Sequence, residues 1–168
     1  MSRIPLIVAP VDFTDSSTRA LTDAAAWASE LGSELHVLHI VPDPTAQALS
    51  VEAFGVDFNA IAEEWIENAQ RNLDALVAKL AFPADRVKTR VQMGSRPGEH
   101  IVSYAKEHGA GLIIMASGEH GRVARFLLGS VADCVVRAAS CPVLIVPGRD
   151  GEISAPAGEV SVASAVRR

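Results

Sequence analysis

Cysteine is scarce in this sequence, and its scarcity argues against two common means of holding a fold together. Cys134 and Cys141 are the only cysteines, and they form no CxxC pair and have no histidine at ligand spacing. A disulfide framework needs several cysteines, and a structural zinc site needs closely spaced thiolates or imidazoles. We therefore expect two core or half-buried thiols, with neither zinc nor a disulfide.

Long apolar runs and blocks of one charge are also missing. No apolar run reaches the roughly 18–20 residues of a membrane span, and the N-terminus lacks a secretory pattern. The 15 Lys and Arg residues against 20 Asp and Glu residues give a net charge of −5, without a basic block. We expect no nucleic-acid partner and no membrane insertion, but a cytoplasmic protein with a small, soluble ligand.

The 168 residues contain instead a regular alternation of short apolar runs and amphipathic segments. Most of the runs are apolar on both faces, which is typical of parallel strands covered by helices on both sides. The pattern predicts one α/β domain with a five-stranded parallel sheet and helices on both faces. The predicted strands are Ile4–Val11, Leu35–Val41, Val87–Met93, Leu112–Met115 and Pro142–Val146; the predicted helices are Thr18–Leu31, Phe58–Leu80, Pro97 to about His108, and Ser130–Ala139. Residues Thr45–Asp57 have weak periodicity and are interpreted as a loop or a partly helical lid.

A glycine-punctuated stretch follows the fourth predicted strand. Gly118-Glu119-His120-Gly121-Arg122 comes directly after it, and Gly129-Ser130 opens the next helix. Glycines let backbone N–H groups approach an anion, and a helix N-terminus favours negative charge, so the pattern is typical of a phosphate site. It is neither a Walker A motif nor a dinucleotide fingerprint. A glycine-rich surface loop before a serine-capped helix is the alternative.

Histidines offer weaker candidates. His36 and His39 are three residues apart on one predicted strand and therefore point to opposite faces, so we interpret them as core or edge residues. His120 stands beside Ser117 and Glu119 in one loop, with no separate element to orient a base, so no catalytic triad and no catalytic residue is predicted.

Several motifs together resemble the universal stress protein family. They are Pro10-Val11-Asp12-Phe13-Thr14, Leu38-His39-Ile40-Val41-Pro42, Gly118-Glu119-His120-Gly121-Arg122, Leu127-Leu128-Gly129-Ser130-Val131-Ala132-Asp133, and Cys141-Pro142-Val143-Leu144-Ile145-Val146-Pro147. The resemblance covers roughly residues 3–147, so we expect a universal stress protein domain over residues 1–148. Residues 149–168 are rich in Ala, Ser, Gly and Val without apolar periodicity and are interpreted as a flexible C-terminal tail. It also implies the strand order 3-2-1-4-5 and a homodimer formed through the last strand, Val143–Val146.

ATP, optionally with Mg²⁺, is the cofactor that this resemblance implies. Asp12 would bond the ribose or the adenine, Ile40 would receive the adenine, and the glycine motif would hold the phosphates. The implied cofactor-binding residues are Pro10, Val11, Asp12, Ile40, Ser117, Gly118, Gly121, Gly129, Ser130 and Val131.

The spacing of the glycine motif departs from the family pattern. Seven residues separate Gly121 from Gly129, where the family's ATP motif has nine. A gapped alignment keeps Gly118 and Gly121 as phosphate-binding positions, whereas an ungapped one puts Ala116 and Glu119 there. We favour the gapped register, because it reproduces five consecutive positions of the family.

Two functions are compatible with these motifs. The first is an ATP-binding stress regulator or switch that hydrolyses ATP slowly or not at all, with at most weak ATPase activity. Such a regulator could also bind a regulatory protein partner. The second is a stress protein that binds no nucleotide and acts as a dimeric interaction scaffold. A related adenylating enzyme would need a Ser-Gly-Gly loop where Asp12-Phe13-Thr14-Asp15 stands.

Overall fold

Strands and helices alternate along the chain in the computed structural model, which describes residues 4–44, 58–118 and 128–147. The strands are β1 (Leu6–Pro10), β2 (Glu34–Val41), β3 (Val87–Met93), β4 (Leu112–Ala116) and β5 (Val143–Val146). The helices are α1 (Asp15–Leu31), α2 (Phe58–Val77), α3 (Pro97–Glu107) and α4 (Ser130–Ala138), with a 3₁₀ turn at Ala84–Arg86.

The five strands form one sheet in the order β3-β2-β1-β4-β5, and every described pair is parallel. Strand β1 lies at the centre, with Ile7 opposite Leu35 of β2 on one side and Leu112 of β4 on the other. The predicted α/β class and strand order 3-2-1-4-5 are confirmed.

Two apolar cores lie on opposite faces of this sheet, because successive strand residues alternate in direction. On one face Ile7 and Ala9 pack with the apolar stripe of α1 and with Leu73 of α2. On the other face Leu6 and Val8 pack with residues of α3 and α4. Helices therefore cover both faces of the sheet, as predicted.

The start of α1 differs from its predicted position. The helix begins at Asp15 rather than Thr18, because the hydroxyl of Thr14 caps it by accepting a hydrogen bond from the backbone N–H of Ser17 at 3.2 Å. Gly32 ends it with a φ of 67°, the left-handed conformation predicted for that glycine.

Other element ends shift by up to three residues. Helix α2 ends at Val77 instead of Leu80, strand β1 is shorter than Ile4–Val11 at both ends, and β4 runs on to Ala116. The predicted loop or lid at Thr45–Asp57, the tail 149–168 and the site residue Gly121 lie outside the described residues. Within the described ranges, no helix combines the length and apolar character of a membrane span.

Candidate functional site

An open crevice lies at the carboxyl ends of the central strands β1, β2 and β4, where the strand order reverses between β1 and β4. In parallel sheets this reversal of strand order is the usual place for a ligand. The crevice encloses about 270 Å³. It is lined by Pro10, Val11, Asp12, Ser17, Leu38, His39, Ile40, Pro97, Ile101, Met115, Ala116, Gly118, Gly129, Ser130, Val131 and Ala132. The predicted site residues are therefore brought together, except for Ser117, which does not line the crevice, and Gly121.

Asp12 stands at the rim of the crevice in a tight turn between β1 and α1. Its Oδ1 accepts hydrogen bonds from the backbone N–H of Thr14 at 3.1 Å and from the Thr14 hydroxyl at 2.6 Å. Burial disfavours the ionised form, but hydrogen bonds from Thr14 and Ser17 outweigh it, so the pKa of the Asp12 carboxyl lies below its usual value. A carboxylate has about four acceptor positions, so Asp12 retains capacity on Oδ2 for a ligand.

Phe13 holds this turn in an unusual backbone conformation. Its φ of 64° makes it the only described non-glycine residue in the left-handed region, which disfavours bulky side chains. The Phe13 ring lies against the ring of His39, with centroids 4.4 Å apart. His39 in turn donates from Nδ1 to the carbonyl oxygen of Val11 at 2.7 Å. These contacts fix the chain directly before and after Asp12.

The opposite side of the crevice is formed where the glycine stretch leaves β4 and enters α4. The backbone N–H of Gly129 donates to the carbonyl oxygen of Ser117 at 2.8 Å, and the N–H of Ser117 donates to Val146 at 3.0 Å. Ser117 thus ties the two ends of the loop to each other and to β5. Gly118 follows with a φ of 92°, a conformation that favours glycine.

The N-terminus of α4 faces this side of the crevice. The backbone N–H of Asp133 donates to the carbonyl oxygen of Gly129 at 2.8 Å, which is the first backbone hydrogen bond of α4. The N–H groups of the first turn before it are the ones that an α-helix leaves without an internal partner, and together with the helix dipole they favour an anion. Ser130 is exposed and adds a hydroxyl at the same place.

Helix α3 supplies a wall that the sequence analysis did not include. Pro97 and Ile101 line the crevice from its first two turns. The proline after the carboxyl end of β3 was a signal for this wall, because a helix that starts at that end of a parallel sheet must border the ligand edge. Ala116 also lines the crevice, as the ungapped register requires.

In the part of the chain that the structure describes, no three His, Cys, Asp or Glu side chains are grouped to hold a metal ion.

Strand β5 pairs only with β4 among the described strands, and its four apolar residues Val143–Val146 are half-buried. An apolar edge of this kind invites pairing with another strand.

The sequence and the fold both match known proteins. A model of the universal stress protein family matches residues 5–147. Universal stress protein G of Shigella flexneri is 31% identical over 142 residues, which cover 83% of this chain and 96% of that protein. The structure of hypothetical protein MJ0577 superposes with a TM-score of 0.72 at 27% identity, covering 89% of this chain and 100% of the other. The universal stress protein from Archaeoglobus fulgidus in complex with dAMP superposes with a TM-score of 0.55 at 26% identity, covering 86% and 98%.

Proposed function

This chain belongs to the universal stress protein family, and we propose that it binds ATP in the crevice and acts as a nucleotide-dependent stress regulator or switch. The observation that carries the proposal is the meeting of Asp12, an apolar wall and the N-terminus of α4 around one cavity. A solved relative in complex with dAMP, which is also an adenine nucleotide, supports the choice of base.

The apolar wall suits the adenine. Ile40 is 9% exposed and Val11 is 5% exposed, and both lie at the carboxyl ends of neighbouring central strands. Ile101 of α3 lines the same crevice. A flat, largely apolar base gains free energy by entering such a site, and backbone groups at the strand ends can bond its polar edge. Asp12, at the rim, accepts from a ribose hydroxyl or from the adenine amino group.

The phosphates belong at the α4 side. Gly118 and Gly129 lie at the two ends of the loop, and the exposed hydroxyl of Ser130 lies beside the N–H groups of the first helical turn, which have no partner inside the helix. Val131 contributes its backbone to the same turn. ATP binds here with or without Mg²⁺, whose coordination would come mainly from the phosphates and water, as is usual for this cation.

Regulation rather than rapid hydrolysis is the role we propose. A general base works best with a pKa near the operating pH. The pKa of Asp12 is shifted the other way, because its hydrogen bonds stabilise the ionised form. Asp12 is therefore suited to accept a ligand's hydrogen bond and poorly suited to activate water, so we expect ATP turnover to be slow or absent.

A homodimer through β5 accompanies this function in our proposal. The half-buried apolar residues of β5 would be covered by the same strand of a second copy. This edge also favours the second candidate function, an interaction scaffold that binds no nucleotide, because the assembly surface is independent of the crevice.

Titration of ATP, with and without Mg²⁺, into the wild type and Ser130→Ala tests the proposal. A hydrogen bond to a charged group such as a phosphate contributes about 1.5–3 kcal/mol, so loss of the Ser130 hydroxyl should weaken binding by about one to two orders of magnitude. Ser103→Ala is the matched control, since Ser103 is an exposed serine of α3 outside the crevice. Mass spectrometry of gently purified protein should also reveal retained adenine nucleotide. Absence of ATP binding and of retained nucleotide would favour the scaffold.

A further inference from the structure

Three aromatic side chains, of which His36 and Tyr104 are buried and His108 is exposed, form a cluster between β2 and the C-terminal end of α3, outside the crevice. His36 of β2 is 5% exposed, and its Nδ1 lies 2.9 Å from the hydroxyl of Tyr104 on α3. The ring of His108 stacks on Tyr104 with centroids 4.0 Å apart and meets His36 edge-on at 5.5 Å. A buried histidine such as His36 is a candidate for a proton-sensitive contact.

The hydrogen bonds of His36 suit a neutral ring. Burial raises the pKa of the Tyr104 hydroxyl, which therefore keeps its proton and shares one hydrogen bond with Nδ1 of His36. The other nitrogen, Nε2, is buried and has no hydrogen-bond partner within the described ranges. A protonated ring has a donor on each nitrogen and needs an acceptor at both. The present arrangement supplies only one.

The charged groups around His36 also disfavour its protonation. Glu34 is the nearest carboxylate, but its Oε2 is 3.7 Å from Nε2 of His36 and is bonded at 3.0 Å by Nζ of Lys88 on β3. Burial, then Lys88 and His108, lowers the pKa of His36 against the opposing effect of Glu34. The positive charge of Arg90 on β3 favours the ionised form of Tyr104, but burial outweighs it and the pKa of the Tyr104 hydroxyl remains raised. A proton on His36 is therefore destabilising in the present packing.

The cluster is connected to the crevice through both elements that it joins. Strand β2 continues from His36 to His39 and Ile40, which line the crevice. Helix α3 carries Tyr104 one turn after Ile101, which also lines it. A shift of α3 away from β2 consequently moves one wall of the crevice.

We propose that protonation of His36 releases the C-terminal half of α3 from β2 and so weakens nucleotide binding at acid pH. The nucleotide part rests on the proposed function, whereas the movement of α3 does not. The sign follows from the native ring being held neutral: the stabilising contact is fully present above the ordinary histidine pKa of 6.5 and is lost as the pH falls through the lower native pKa of His36.

Hydrogen exchange of the α3 amides provides a test that needs no ligand. Protection factors, which correct for the chemical pH dependence of exchange, would be compared at about pH 7.5 and about pH 5.5, on either side of the usual histidine pKa. We expect the wild type to lose protection over Ile101–Glu107 at the lower pH. His36→Gln, which cannot titrate, should lose none, and His100→Gln, a histidine substitution on the same helix outside the cluster, should behave like the wild type.

ATP affinity at the same two pH values is the second arm. We expect the wild type and His100→Gln to bind about threefold to tenfold more weakly at the lower pH, which corresponds to a coupling of half to one pKa unit. The affinity of His36→Gln should not respond in this way. Equal pH dependence of α3 protection in the wild type and His36→Gln would overturn the inference.

An NMR titration of the His36 ring in the wild type keeps the test decisive if His36→Gln fails to fold. A ring that gains its proton together with the loss of α3 protection supports the inference, and a ring that titrates without any change in α3 contradicts it. Absence of ATP binding at the higher pH would contradict the proposed function instead, and the exchange data would still decide the movement of α3.

Discussion

Replacement of Asp12 by alanine should separate ligand binding from helix capping. The Asp12 carboxylate already accepts two hydrogen bonds from Thr14, so it has a structural role in the turn before α1. If it also accepts from the nucleotide, loss of a hydrogen bond to a charged group costs about 1.5–3 kcal/mol of binding free energy. This corresponds to a fall in ATP affinity of about one to two orders of magnitude.

Thr14→Val is the matched control for this substitution. It removes the hydroxyl that bonds Asp12 and caps the helix at Ser17, yet it leaves the carboxylate in place. Loss of such a cap costs about 1 kcal/mol of folding stability, and Asp12→Ala should lose a similar amount. In chemical denaturation, Asp12→Ala and Thr14→Val should therefore lose comparable folding stability. In calorimetric titration, only Asp12→Ala should show a large loss of ATP affinity.

The pH dependence of stability gives an independent check on Asp12. Its native pKa is lowered from 3.8, so its contribution to stability is present above that value and disappears as the pH falls through the lower native pKa. The stability gap between wild type and Asp12→Ala should accordingly narrow in acid. Unchanged ATP affinity in a cooperatively folding Asp12→Ala would refute the binding role and leave Asp12 as a capping residue only.

Three further predictions concern the loop, the dimer and the helix packing. In the favoured register, Gly121→Val should abolish ATP binding, because glycine is needed where the backbone meets a phosphate. Glu119→Gly should leave the ATP affinity within about twofold of the wild type. Tighter ATP binding by Glu119→Gly would favour the ungapped register. Leu144→Lys should convert a dimer to a monomer in light scattering, because it places a charge in the proposed β5 pairing, and an unchanged mass would argue against that interface. Gly98→Ala should lower the free energy of unfolding by about 1–3 kcal/mol in urea denaturation, because a Cβ there would meet Sγ of Cys134 at 2.7 Å; an unaltered midpoint would contradict this packing.

Most of the fold was predictable from the sequence because its signals are local and strong. Strand β3 was placed at Val87–Met93 from its alternation, and Gly32 was identified as the end of α1. The start of α1 was misplaced because several residues before it can cap a helix. Only the actual hydrogen bond from the backbone N–H of Ser17 to the hydroxyl oxygen of Thr14 selects Asp15 as the first residue.

Some residues of the candidate site could be predicted from the sequence, and others could not. Asp12 and Ile40 follow from their positions at strand ends, since the sheet topology brings those ends together. Pro97 signals that α3 borders the crevice, but the contribution of Ile101 could not be predicted, because the direction of its side chain depends on how α3 packs on the sheet and on α4. The buried contact between His36 and Tyr104 could not be predicted either, since its partners are 68 positions apart along the chain.

The two sides of the crevice are built differently, and this difference decides which substitutions affect only binding. The Asp12 side is stabilised by the contacts that also begin α1 and position His39, so changes there alter folding stability and affinity together. At the α4 side, Ser130 is exposed and caps nothing, since α4 has no side-chain cap at its start. Changes to Ser130 should therefore alter affinity alone, because a single exposed hydroxyl is removed without leaving any partner unsatisfied. Because Asp12 takes part in the turn before α1 whereas Ser130 caps no helix, the proposed contact of Ser130 with a phosphate could vary without endangering the fold.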